Sequence, residues 1–130
     1  MIDKDRVKIE LNALKPVCDE VRSDLNEGWV ELHGITFPSG WRPRTGALRF
    51  ELQDPYPGSQ PKAFIPENMR YKGGRPHIML RSGPPGWRKY CIHRLELDAG
   101  FDTLVSMTRL IEKSLLRPHS KNPVKKASRR

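Results

Sequence analysis

Trp29-Val30-Glu31-Leu32-His33 and, further on, Leu48-Arg49-Phe50-Glu51-Leu52 decide how this chain folds. In the first, Val30 and Leu32 alternate against Glu31 and His33; in the second, Leu48, Phe50 and Leu52 point one way and Arg49 and Glu51 the other. Period two is the mark of a half-buried strand. Phe37-Pro38-Ser39-Gly40-Trp41-Arg42-Pro43 lies between them as a loop, so the two strands form an antiparallel hairpin.

Working outward, residues 3 to 26 read as helical. Val7, Leu11 and Leu14 recur at helical spacing and Asp3 is placed as an N-cap. Pro16 lacks an N–H and breaks the pattern near Lys15, and a second helical piece carries Val17, Val21 and Leu25. Cys18 falls in that piece as a packing residue, and Asn26-Glu27-Gly28 ends it. After the hairpin, Asp54-Pro55-Tyr56-Pro57-Gly58-Ser59-Gln60-Pro61 is a proline-stiffened turn into a short third strand, Lys62-Ala63-Phe64-Ile65. A loop from Pro66 to Gly74 leads to His77-Ile78-Met79-Leu80, read as a fourth strand, and then to the loop Ser82-Gly83-Pro84-Pro85-Gly86-Trp87. Phe101, Leu104, Val105, Thr108, Ile111 and Leu115 make the apolar stripe of a last helix, from about Phe101 to Leu116. The expected class is α+β: an N-terminal helix, a four-stranded antiparallel meander, a loop bearing a cysteine, and a C-terminal helix. The domain is expected over residues 1–118, with a basic disordered tail over 119–130.

At 130 residues the chain suits one core, and its 30% of charged residues suits a soluble protein. No apolar run approaches the ~20 residues of a membrane span. The start of the chain lacks a signal-peptide pattern. Two cysteines without metal-ligand spacing point to a reduced, cytoplasmic setting with no metal and no cofactor. The net charge is +9, but six of the cations lie between Arg117 and Arg130, leaving +3 elsewhere, which argues against nucleic acid as the partner of the fold itself.

The chemistry-bearing residue is Cys91, in Tyr90-Cys91-Ile92-His93. A structural cysteine usually sits within an apolar run, whereas Cys91 lies among Arg88, Lys89, His93 and Arg94. Nearby cations favour the thiolate, the form that attacks carbonyls and thioesters.

Tyr56-Pro57-Gly58-Ser59-Gln60-Pro61 before a short strand, then Arg75-Pro76-His77-Ile78, Cys91, and the run to Ser114-Leu115-Leu116-Arg117-Pro118, together resemble the ubiquitin-conjugating enzyme (UBC-like) family in its compact bacterial form. In that family a Tyr-Pro-x-x-x-Pro turn enters the third strand, and a His-Pro-Asn segment and the nucleophilic cysteine precede a helix. The resemblance implies that Cys91 accepts a ubiquitin-like protein as a thioester from an activating enzyme and passes it to an amine on a target protein, in a bacterial, antiviral type of pathway. It implies roles for His77 as a backbone-bonding or oxyanion-stabilising residue and for His93 as a modulator of the thiol or of the incoming amine. No Asn follows Pro76-His77, so the backbone N–H groups of Gly83–Trp87 and the side chain of Asn68 are further oxyanion candidates. Asp98 and Asp102 are candidates for orienting the amine, Asp102 equally for stabilising the last helix's N-terminus. Three other readings stand beside this one. They are a catalytically inactive relative acting as a binding or scaffold module, a small basic nucleic-acid module, and a Cys-His hydrolase.

Overall fold

The alternation along Trp29–Leu52 becomes the centre of a six-stranded antiparallel sheet in the computed structural model, which describes residues 2–56, 58–76, 79, 81–90 and 103–116. Helix α1 (Lys4–Leu14) is followed by a 3-10 turn (Lys15–Val17), then β1 (Glu20–Asp24), β2 (Trp29–Thr36), β3 (Trp41–Arg42), β4 (Thr45–Glu51), β5 (Lys62–Pro66), β6 (Arg70–Tyr71), β7 (Arg81–Ser82), β8 (Trp87–Lys89) and helix α2 (Leu104–Ser114). The sheet order is β1-β2-β4-β5-β8-β7, and β3 pairs with β6 in a separate two-stranded ribbon. The architecture is α+β, with two helices and an antiparallel sheet.

Register places the apolar residues together. Val30 lies opposite Phe50, and Leu32 opposite Leu48. Phe50 in turn lies opposite Ala63, so these side chains share one face. That face joins Val7 and Leu14 of α1 and Leu104, Met107 and Ile111 of α2 in one buried cluster. The other face carries Arg49, whose guanidinium bridges Glu31 and Glu51 and lies 4.8 Å from the Trp29 ring centroid. His33 Nε2 lies 2.8 Å from Glu31.

Three expectations need correction. The second helical piece is a strand: β1 pairs with β2 over the whole run from Glu20↔His33 to Asp24↔Trp29. The turn between them overrides the four-residue spacing of Val17, Val21 and Leu25. Asp24 Oδ1 accepts the N–H groups of Asn26 and Glu27, both at 3.0 Å, and Gly28 closes the turn at φ +85°. The sheet has more than four strands, because the Gly/Pro loop, a turn over residues 83–86 as expected, is flanked by two short strands that form the β7–β8 hairpin, joined to β5 through Phe64↔Lys89 and Ile65↔Arg88. Within the expected fourth strand, Met79 is buried and its N–H closes a turn on the Pro76 carbonyl at 2.9 Å; His77, Ile78 and Leu80 lie outside the described residues.

Other readings agree with the structure. Asp3 caps α1 by accepting the Arg6 N–H at 3.1 Å, and the helix stops one residue before the 3-10 turn that contains Pro16. The last helix is present but shorter than the expected span from about Phe101 to Leu116: Thr103 is extended and serves as N-cap in a reciprocal capping box with Ser106, so α2 runs Leu104–Ser114. Asp102, Phe101 and the tail over 119–130 lie outside the described residues.

Gly34 sits in β2 where the register with β4 shifts between His33 and Ile35, at φ +83°. A Cβ there would run into the Asp19 side chain. Gly34→Ala is expected to cost about 1–3 kcal/mol through a strained backbone, read as a lower urea midpoint with unchanged m-value. An unchanged midpoint would show that the bulge can be remodelled freely.

Candidate functional site

Of the sequence-derived site residues, Cys91, His77 and His93 all lie outside the described residues, as does Asp98. The structure describes what brackets them. On the N-terminal side, Tyr90 directly precedes Cys91. Its N–H donates to the Ala63 carbonyl at 2.8 Å, extending the β5–β8 pairing by one residue, and its ring is buried in the core. On the C-terminal side, Thr103 caps α2, and the Leu104 N–H is held by the carboxylate of Glu10 at 2.7 Å. Around His77, Pro76 and Met79 are both buried. Tyr90 and Leu104 are thus each fixed by a backbone N–H bonded to another element, the first to β5 and the second to α1.

The hairpin that presents β8 depends on close approach. A Cβ on Gly83 would come within 2.7 Å of the Phe64 ring, and Gly86 turns at φ +88°. Its N–H groups are partly committed: Gly83 donates to Trp87 O at 3.2 Å and Trp87 to Pro84 O at 2.9 Å. Those two amides are therefore spent on the turn rather than free as oxyanion donors. Asn68 is exposed in the turn after Pro66, which pairs with Trp87. That is the end of β8 away from Tyr90, about 10 Å along the strand at ~3.3 Å per residue.

Cys18 is a packing residue, as its context indicates. It is half-buried against the core, and its Sγ lies 3.5 Å from the Glu20 carbonyl and 3.7 Å from that of Leu14. Burial pushes its thiol pKa up, reinforced by the charge of Asp19 and opposed by the backbone contacts. Iodoacetamide at pH 7 is expected to modify Cys18 at least about tenfold more slowly in the folded protein than in urea, followed by peptide mass mapping. Equal rates would mean that the site is open and the packing role is wrong.

Three buried side-chain polar atoms lack a partner among the described residues: Arg75 Nε, Arg88 Nε and the Tyr90 hydroxyl. All three belong to groups with an N–H or O–H to donate, and two of them sit on β8 or its extension. An unpaired buried hydroxyl costs a fold about 1–3 kcal/mol, and the apolar surroundings hold the Tyr90 phenol pKa well above its ordinary value. Among the described residues Arg88 has one loose ion pair, Nη2 to Glu67 Oε1 at 3.9 Å. Arg75 titrates below the usual guanidinium range through desolvation first and then through the charges of Arg70 and Arg88, with Glu67 opposing. Sequence reading missed this cluster. Positions 67, 70, 75 and 88 follow no period, and only the β5–β8 pairing and the turn after Pro66 gather them.

Among the described residues no group of three or more His, Cys, Asp or Glu is placed to hold a metal ion, and no helix is long and apolar enough to cross a membrane. No protein-family model, curated protein or solved structure matches the chain.

Proposed function

We propose that this chain is a conjugating enzyme for a ubiquitin-like protein, with Cys91 as the acceptor. The observation that carries the reading is the path of the chain. An antiparallel meander lies on a helix, β8 is followed by an anchored Tyr90 immediately before Cys91, and α2 begins at an anchored Leu104. Cys91 thus follows in sequence on an anchored end of the sheet, and the helix after it begins at a second anchored residue.

The chemistry is a double acyl transfer. The Cys91 thiolate attacks the carbonyl carbon of the thioester on an activating enzyme, forming a new S–C bond and expelling the activating enzyme's thiolate. A target amine then attacks the same carbon, the Cys91–carbonyl bond breaks, and the amine's proton leaves to a base. His93, two residues from Cys91, is the proposed proton acceptor or thiol modulator, and His77 the proposed organiser of the neighbouring backbone. The partners are the ubiquitin-like protein, the activating enzyme and the target protein.

The test mixes the protein with an activating enzyme, its ubiquitin-like protein and ATP, and looks for a thiol-sensitive adduct by non-reducing gel and intact mass. Wild type and Cys18→Ala are expected to form it and Cys91→Ala to form none. If the activating enzyme is itself charged and no adduct appears on wild type, the conjugating reading falls and a binding or scaffold role replaces it.

A further inference from the structure

Among the described residues, the cations around β8 outnumber the acceptors that meet them. Arg70 is engaged with backbone, its Nη1 donating to the carbonyls of Glu67 at 2.9 Å and Met69 at 2.8 Å, which shapes the turn after β5. That turn is tied to the hairpin by the Glu67 N–H, which donates to Gly86 O at 3.0 Å. It thereby carries Glu67 to Arg88, where the two side chains meet at only 3.9 Å while Glu67 stays 51% exposed. Arg88 is largely covered, at 18% exposure, and neither its Nε nor that of Arg75 finds an acceptor among the described residues. Among the described residues, Arg75 therefore feels the charges of Arg70 and Arg88 against the one carboxylate of Glu67, which is held only loosely. A cation with little water around it binds an anion more strongly than an exposed one, because the local dielectric is lower.

The geometry points to a docking site for a carboxylate on an acidic polypeptide segment, bound by Arg75 and Arg88 with Arg70 behind them and displacing Glu67. The choice of carboxylate follows from the group already there. Glu67 is a weakly held internal occupant, and an incoming Asp or Glu side chain replaces it like for like. The cluster is compact rather than a stripe of evenly spaced cations, so it suits one or two side-chain carboxylates better than a phosphate backbone. This inference rests on the described cluster alone and does not require Cys91 to be a nucleophile.

The mechanism makes an unusual demand: removing an acidic residue from the site tightens binding there, and removing one elsewhere does not. The probe is a fluorescein-labelled hexaglutamate peptide, titrated with the full chain and read by anisotropy at fixed salt. Glu67→Gln is expected to bind at least about threefold more tightly, since the competing carboxylate is gone. Glu27→Gln, the same charge change in the β1–β2 turn, is expected to stay within about twofold, because exposed charges beyond a Debye length are screened. The Arg75→Gln/Arg88→Gln double variant is expected to lose at least about tenfold, the scale of losing charge-assisted bonds, while its melting temperature holds or rises because uncompensated cations have been removed.

Peptide binding unchanged in the double variant overturns the site. So does an equal gain from Glu67→Gln and Glu27→Gln, which would mean diffuse attraction to a cationic chain. A twelve-residue thymidine oligonucleotide is run in parallel. If it binds more tightly than the peptide and the double variant abolishes it, the cluster reads phosphate and the carboxylate assignment is wrong.

Discussion

Glu10→Ala lowers the stability of the fold by about 3–5 kcal/mol, the cost of emptying one side of a buried charged network. Glu10 is only 4% exposed although it is a carboxylate. Its Oε1 accepts the Tyr56 hydroxyl and the Leu104 N–H, both at 2.7 Å, and its Oε2 accepts Arg6 Nε at 2.9 Å. The alanine variant leaves a phenol and a helix N-terminal amide without the carboxylate that accepts from them, and takes one ion pair from Arg6. The Tyr56 phenol pKa is raised above its usual range by burial first and by Glu10 second, so the hydroxyl stays protonated and donating across the accessible pH range. A melting temperature more than about 10 °C lower is expected by calorimetry for Glu10→Ala. Glu10→Gln keeps an acceptor oxygen and should lose roughly half as much, and Tyr56→Phe about 1–2 kcal/mol. In a double-mutant cycle, Glu10→Ala and Tyr56→Phe should couple by about 1 kcal/mol or more. Additive effects would mean that the 2.7 Å contact is a bystander of packing.

The network matters to the site because it joins three distant parts of the chain. It ties the middle of α1 to the Tyr56 turn and to the first residue of α2. The same turn is gripped again by the Asp3 N–H, which donates to the Tyr56 carbonyl at 3.0 Å. Leu104 is the first residue of α2, so Glu10 fixes the start of the helix that follows Cys91 and His93 in the chain.

The second large effect falls on Trp41. Its ring is fully buried, 5.3 Å from the Tyr71 ring centroid and 6.4 Å from that of Phe37, and its Nε1–H donates to the Leu115 carbonyl at 3.0 Å. Leu115 is the C-cap residue that follows α2. The tryptophan therefore fills the core beneath the β3–β6 ribbon and also satisfies a carbonyl that a helix terminus leaves free. Trp41→Ala is expected to cost about 3–5 kcal/mol through lost contact and a cavity. Trp41→Phe restores much of the volume but not the donor, and should cost about 1–2 kcal/mol less than alanine does. Its diagnostic is local: hydrogen exchange should quicken in the last turn of α2 more than in β2 and β4. Uniform acceleration would show that the indole N–H has no separate role at the helix end.

How legible all this was depends on whether the deciding force is local. The strands Trp29–Thr36 and Thr45–Glu51 were readable because alternation along a chain maps directly onto the two faces of a sheet. The Asp3 cap and the stripe of α2 were readable for the same reason. The stretch after Val17 misled, because Val21 and Leu25 fit a helix by spacing while a turn chelated by Asp24 commits the segment to a strand. The turn over Gly83-Pro84-Pro85-Gly86 was legible, but its flanking strands were not, because two or three residues carry no periodicity until Trp87–Lys89 finds β5 as a partner.

The sequence by itself determined the α+β class, the central hairpin, both helices and the packing role of Cys18, and it singled out Cys91 by its cationic neighbours. Only the tertiary structure decided that Glu10 is a buried acceptor for groups 46 and 94 residues away. The same holds for Trp41, which closes a helix end 74 residues on, and for the arginines at 70, 75 and 88, which gather around one glutamate. Periodicity records which side of an element faces the core. A hydrogen bond or an ion pair between distant residues leaves no periodic trace, because its partner is chosen by how the elements pack.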